Sequence, residues 1–277
     1  MQLGSSDVET LAGAIEDANH IIIEAWTERG PGVGPDEVSP ELLSEALGQY
    51  VEILRKVEGV GGEPPESDSI FDTIATAGGG RKAGEPVTTG GMSGNTTGAD
   101  PDDITQLGDY GLSLLHDQSE WARRLGLEAA AERLNGLNVA IALWVARHGG
   151  ELNQIDGIVN VLASVANRTA DPDRLREMAV AMGEIAHAAS PAIKQDLDRA
   201  NPARPWRVLL LNRSICATRS HDPAAMESAF HDLGQWLPDD APEFFAEGLQ
   251  QMDPENTPTE VLDLLKSYLQ RWKGGQH

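Results

Sequence analysis

The chain has 277 residues, with 44 Asp and Glu against 21 Lys and Arg, and its formal net charge at pH 7 is −23. A negative field of this size repels DNA, RNA and anionic lipid, so it disfavours binding of nucleic acid or a membrane by the bulk surface. Nothing approaches 18 consecutive apolar residues and Cys216 is the single cysteine, so we expect a cytoplasmic protein without an intramolecular disulfide or a membrane span.

The chain opens with two segments of helical periodicity. Apolar residues recur at three- and four-residue steps over residues 8–26 and again over residues 43–57. Ser5, Ser6 and Asp7 precede the first run as candidate helix caps, Ser39 and Pro40 open the second run, and turn-forming glycines and prolines lie between the runs. Residues 1–58 are therefore predicted to form an N-terminal antiparallel helical hairpin.

The composition changes at residue 59. Gly, Pro, Ser and Thr dominate residues 59–103, which also carry a net charge of −6. Such a stretch buries too little apolar surface to offset the entropy of ordering it, so we predict a flexible acidic linker. One short amphipathic segment, with apolar Ile70, Phe71 and Ile74, interrupts this linker. It is either a helical turn that rests on a neighbouring helix or a docking peptide for a partner or for a groove of the same chain.

Helical periodicity returns after the linker and continues over residues 104–277, the predicted C-terminal helical-repeat domain. Asp-Pro pairs at 171–172 and 222–223 place a capping residue before a proline suited to the first turn. The predicted helices are 104–124, 127–147, 151–167, 172–189, 191–200, 206–219, 223–237, 241–252 and 258–273. The sequence thus predicts an all-α protein, whose antiparallel hairpins stack as a bundle or a short solenoid.

One part of this array resembles a known repeat family. Phe230 and Pro238 fall at the spacing of the late aromatic residue and the terminal proline of tetratricopeptide-like helical hairpin repeats. Ser214 and Ala217 stand where that motif carries Gly and Tyr. The resemblance covers residues 207–273, and it implies stacked hairpins of the kind that usually hold another protein on an extended face.

Positive charge is concentrated in one segment of the chain. Residues 199–221 carry five arginines and no Asp or Glu. Because Arg offers a planar fork of donors that matches carboxylates and phosphates, this segment could line a groove for an acidic peptide or a small anion. The alternative is that the arginines pair with carboxylates of neighbouring helices. The candidate binding residues are Arg204, Trp206, Arg207, Arg213, Arg219 and His221.

No motif in the sequence carries catalytic, metal or cofactor chemistry. Glu184 and His187 form one Glu-x-x-His pair, whereas a di-iron helical bundle needs two such pairs and two further carboxylates. Cys216 lies in an apolar run typical of a small core side chain, and the alternative is a reactive thiol activated by Arg213 and Arg219. We expect no metal and no cofactor, and the question whether the protein is an enzyme stays open.

The pattern favours a non-catalytic protein-interaction or adaptor module that binds a protein or an acidic peptide. Two alternatives stay open. One is a small-anion-binding protein or an enzyme that uses the arginines near Cys216, and the other is an acidic mimic of nucleic acid. The predicted linker is long enough for the N-terminal hairpin to pack on its own chain or to exchange with a second copy in a homodimer.

Overall fold

The computed structural model of the chain describes residues 7–30, 32, 34, 37–59, 99–253, 255 and 257–274. All regular secondary structure within these ranges is helical, and the β-type pairing there is one isolated bridge between Leu152 and Ala189. The predicted all-α class is confirmed. Residues 60–98, which make up most of the predicted linker and include Ile70, Phe71 and Ile74, lie outside the described residues.

The helices are α1 (Val8–Arg29), α2 (Pro40–Val57), α3 (Pro101–Arg124), α4 (Glu128–Arg147), α5 (Asp156–Arg168), α6 (Pro172–Ala188), α7 (Pro191–Lys194), α8 (Pro205–Arg219), α9 (Pro223–Trp236), α10 (Ala241–Gln251) and α11 (Thr259–Gly274). Four helix starts are held by side-chain caps at positions that the sequence indicated, with Asp7 as the cap among the three candidates before α1. The side chains of Asp7, Ser39, Asp171 and Asp222 accept hydrogen bonds from backbone N–H groups of the first turn. No helix in the described ranges has the length and apolarity needed to cross a bilayer.

Two helices are shorter than the periodicity predicted. α5 begins at Asp156 and not near residue 151, because the backbone of Leu152 bonds elsewhere: its N–H donates to the Ala188 carbonyl (2.8 Å) and its carbonyl accepts from the Ser190 N–H (2.9 Å). α7 ends at Lys194 and not near residue 200. Asp196 has a φ of 48°, a left-handed conformation that cannot continue an α-helix.

The described residues form two compact units, and the division between them falls within α4, between Leu137 and Asn138. The N-terminal unit contains α1, α2, α3 and the first part of α4. α1 and α2 form the predicted antiparallel hairpin, in which Arg55 near the end of α2 binds Glu9 near the start of α1 at 2.7 Å. α3 packs on α2 in this unit, although the sequence prediction grouped it with the C-terminal helices.

The C-terminal unit is organised around α8. This helix packs on α5, α6 and α9, and its apolar residues Leu209, Leu210 and Cys216 are buried. An aromatic cluster joins α9, α10 and α11, with the ring of Phe230 5.0 Å from that of Phe245 and 5.3 Å from that of Tyr268. This packing fixes the positions of the arginines on α8.

Candidate functional site

Arg204 is a buried structural residue at the start of α8. It is only 7% exposed, and its guanidinium donates to both carboxylate oxygens of Asp196, at 2.6 and 2.9 Å. It also donates to the carbonyl oxygens of Arg199 and Asn201. The bonded Asp196 carboxylate raises the pKa of Arg204 above its ordinary value, because it favours the charged form. Arg204 therefore holds the loop between α7 and α8 together.

Arg207 and Arg199 also have carboxylate partners within the C-terminal unit. Arg207 Nε lies 2.6 Å from Asp240 Oδ1, and the second oxygen of Asp240 lies 3.4 Å from Arg204 Nη2. Arg199 pairs with Asp239 at 3.3 Å on the surface, where the exposed side chains contribute little to stability. Arg204 and Arg207 are thus brought together by one shared carboxylate.

Arg213 makes a second, separate buried ion pair. Its Nη1 donates to the carboxylate of Asp232, and its Nη2 donates to Ser228 Oγ at 2.8 Å. The guanidinium lies over Gly183 of α6, where an added Cβ would sit 2.9 Å from Cζ of Arg213. Its Nε has no hydrogen-bond partner among the described residues. Gly183 thus leaves the space in which a charged group is buried between α6, α8 and α9.

The other candidates serve different local roles. Arg219 donates to the carbonyl oxygens of Ala166 (3.0 Å) and Thr169 (2.5 Å), so it caps the end of α5. Trp206 is only 3% exposed, and its ring centroid lies 5.2 Å from that of Trp236. His221 is exposed, with a left-handed φ of 55° after the last turn of α8. The six candidates are therefore not one surface.

Cys216 is fully buried, and burial raises the pKa of its thiol to about 11. The nearby charge of Arg219 opposes this shift only in part. The thiol therefore stays protonated at neutral pH, whereas a nucleophilic cysteine needs its thiolate form. Within the described ranges, no group of three or more His, Cys, Asp or Glu could hold a metal ion.

An open groove of about 630 Å³ lies between α6 and α9, next to the buried Arg213. We call it the α6–α9 groove. Most of its lining residues are small, and Val180 on its wall is 52% exposed. The lining consists of Ala146, Arg147, Gly149, Gly150, Glu151, Ala179, Val180, Gly183, Glu184, His187, Ala188, Ala189, Lys194, Arg213, Ala225 and Ser228. Sequence reasoning missed this groove because its residues come from five separate helices and a loop and form no local motif.

The charged side chains of the groove are mostly paired. Arg147 Nε lies 2.7 Å from Glu184 Oε2, and Arg213 is neutralised by Asp232. Lys194 donates to the backbone carbonyl of His187 at 2.7 Å, and it has no carboxylate partner in the part of the chain that the structure describes. Lys194 therefore borders the groove without an ion pair to a carboxylate among the described residues, and Glu151 is the further charged residue of the lining.

Glu184 and His187 do not act as a ligand pair. Glu184 binds Arg147, whereas His187 Nε2 lies 3.6 Å from Asp232 and its ring lies 5.0 Å from that of Trp236. The chain matches no protein-family model, no curated protein and no solved structure. Its own geometry is therefore the basis on which a function can be argued.

Proposed function

We propose that the protein is a non-catalytic interaction module that binds an acidic peptide segment of a partner protein in the α6–α9 groove. The observation that carries this proposal is an open groove with a floor of small side chains, bordered by a lysine that lacks a carboxylate partner among the described residues. A concave surface of this kind suits an extended or helical segment, because its depth lets side chains of the segment leave water.

The shape of the groove supports a peptide as the ligand. Ala179, Gly183 and Ala225 have little or no side chain, so a partner backbone can approach α6 and α9 closely. Val180 adds exposed apolar surface that a partner side chain would remove from water. The ion pair of Arg147 and Glu184 is already formed, so these two side chains are ordered before a peptide arrives.

Charge supports an acidic peptide over a basic one. The groove borders three cations, of which Arg147 and Arg213 are neutralised by carboxylates of the same chain. Lys194 is the cation left to pair with a partner carboxylate, among the residues that the structure describes. A carboxylate placed here would be attracted to the Lys194 ammonium group, and that attraction would help to orient the peptide in the groove.

Two observations argue against the alternative of an anion-binding protein or enzyme around Cys216. The Cys216 thiol has its pKa raised to about 11 by burial. The guanidinium groups of Arg204 and Arg213 are bonded to buried or half-buried groups of the chain. An incoming anion would have to displace those partners. Acidic mimicry of nucleic acid rests on net charge alone and has no specific site in its favour.

The antiparallel pairs α8 with α9 and α10 with α11 support the resemblance of residues 207–273 to tetratricopeptide-like hairpins as an architectural proposal. The adaptor role and the cytoplasmic location belong to the same proposal. All three would fit a module whose task is to hold another protein.

Selection of a displayed random peptide library on the full chain tests the proposal. Peptides enriched on the wild type should contain Asp or Glu, and they should lose binding to Val180→Glu, which adds a like charge inside the groove. Ile215→Glu is the matched control, because Ile215 is also an exposed apolar residue on a helix (41% exposed) but does not line the groove. Peptides that bind all three proteins equally would contradict the proposed site.

A thermal-shift screen with inorganic phosphate and small organic acids separates this function from the anion-binding alternative. The proposal predicts no stabilisation by these compounds at concentrations where a specific site would be saturated. Strong stabilisation by one of them, lost in Arg207→Gln but kept in Val180→Glu, would support the alternative instead.

A further inference from the structure

A second groove, of about 790 Å³, runs along the seam of the α1–α2 hairpin in the N-terminal unit. We call it the hairpin groove. Ala12, Glu16 and Ile23 line it from α1, and Ser44, Gly48 and Arg55 line it from α2. These positions recur at steps of four and seven residues, so each set follows one side of its helix. From Ala12 to Ile23 the groove is about 16 Å long at 1.5 Å per residue.

The floor of the hairpin groove is apolar and open. Ile15 and Val51 are buried at its base, and Ile21 is an exposed apolar residue at its rim. A Cβ added at Gly48 would have no atom within 4 Å. Small residues at Ala12, Ser44 and Gly48 let another helix approach the seam at the distance that helix packing requires.

The charge around the hairpin groove indicates which kind of segment could bind in it. Residues 1–58 have a net charge of −9, and Glu16 and Asp17 on the rim have no ion-pair partner among the described residues. Two arginines also line the groove: Arg55 is occupied by Glu9 and Glu52, whereas Arg133 has no ion pair among the described residues. Residues 59–103 have a net charge of −6, and a second copy would bring the same negative hairpin. Repulsion between like charges therefore disfavours residues 59–103 of the same chain, and the hairpin of a second copy, as the occupant of the groove.

We propose that the hairpin groove binds a basic amphipathic α-helix of a partner protein. The apolar stripe of that helix would pack on Ile21 and Ile23, above the buried Ile15 and Val51, and its Lys and Arg residues would face Glu16 and Asp17. This is the helix-in-groove mode of recognition, with negative charge of the hairpin as the steering element. The proposal adds a second site to the protein and does not depend on the α6–α9 groove.

A fluorescently labelled Leu–Lys peptide of about 14 residues, with leucines at i, i+3, i+4 and i+7, serves as the probe. A scrambled peptide of the same composition measures non-specific attraction to the acidic surface. Gly48→Leu places a side chain in the groove and raises helix propensity at the same time. Gly13→Leu is the matched control, because Gly13 is also an exposed glycine inside a helix with open space around it, and it does not line the groove.

Fluorescence anisotropy with the full chain should show the periodic peptide binding at least about tenfold more tightly than its scramble. Gly48→Leu should remove that preference, whereas Gly13→Leu and the groove variant Val180→Glu should keep it. Equal binding of both peptides, or a preference that survives Gly48→Leu, would overturn the proposal. Dimerisation of the wild type that is abolished by Gly48→Leu would also overturn it, because the occupant would then be a second copy. None of these outcomes affects the α6–α9 groove.

Discussion

Removing the carboxylate of Asp232 should strongly destabilise the C-terminal unit. Asp232 is the ion-pair partner of Arg213, and the two side chains are 7% and 6% exposed. In Asp232→Ala the guanidinium of Arg213 stays buried between α6, α8 and α9. Its bond to Ser228 Oγ is the side-chain hydrogen bond that then remains to it among those described. Breaking one side of a buried ion pair costs about 3–5 kcal/mol, because the remaining charge is uncompensated.

Asp239→Ala is the matched control. Asp239 pairs with Arg199 at 3.3 Å, but both side chains are exposed, so the loss should stay below about 1 kcal/mol. Replacing both members of the buried pair, in Arg213→Met with Asp232→Leu, should recover much of the stability lost in Asp232→Ala. The recovery follows because no charge then remains without a partner.

Gly183→Ala gives an independent measure of the same packing. The new methyl group would lie 2.9 Å from the guanidinium carbon of Arg213, and overpacking of this kind costs about 1–3 kcal/mol. The cost should shrink in the double-replacement background, where the guanidinium is absent. Urea unfolding followed by tryptophan fluorescence and circular dichroism measures all of these free energies. If Asp232→Ala lowered the free energy of unfolding as little as Asp239→Ala, Arg213 would not depend on its ion pair with Asp232. The structural role assigned to the buried arginine of α8 would then be wrong.

Three further predictions follow from single side chains. Tyr50→Phe should stabilise the N-terminal unit by about 1 kcal/mol at neutral pH, because the buried Tyr50 hydroxyl has no hydrogen-bond partner among the described residues. Burial also raises the pKa of Tyr50 above its ordinary value of 10.0, so the wild type should lose stability as pH rises above about 10, and a pH series of unfolding curves should show this loss reduced in Tyr50→Phe. His221→Gly should raise the free energy of unfolding by about 0.5–1 kcal/mol, since φ is 55° there, and a decrease measured by urea unfolding would contradict a purely conformational role. Lys194→Glu should weaken binding of the selected acidic peptides about tenfold in anisotropy titrations, whereas Lys266→Glu, a charge reversal on α11, should leave it unchanged.

Helical periodicity and capping chemistry predicted most of the fold. Ser39, Asp171 and Asp222 start the helices that their positions indicated, and Asp7 is the cap among the three candidates before the first helix. These starts were predictable because a cap satisfies backbone donors within one turn of the helix. The early end of α7 could not be predicted in this way. α7 ends where Asp196 takes a left-handed conformation and accepts a hydrogen bond from Arg204. Arg204 lies beyond the following loop, so helical periodicity around residue 196 gives no sign of this contact.

Whether the arginines of residues 199–221 are paired or free depends on contacts with residues that are distant in sequence. Arg207 meets Asp240, and Arg213 meets Asp232, so the acidic residues that neutralise a segment with no Asp or Glu of its own lie on other elements. The sequence could raise intramolecular pairing as an alternative but could not name the partners. The α6–α9 groove was missed for a related reason, because Gly and Ala residues become a surface only when several helices are assembled.

Photo-crosslinking tests most directly whether a partner segment lies in the α6–α9 groove. A selected acidic peptide carrying a photoreactive residue would be irradiated with the full chain, and the modified residues would be identified by mass spectrometry. We expect crosslinks on α6 and α9, around Val180 and Ala225, and excess unlabelled peptide should remove them. Crosslinks confined to the loop between α7 and α8 or to the α1–α2 hairpin would contradict this expectation.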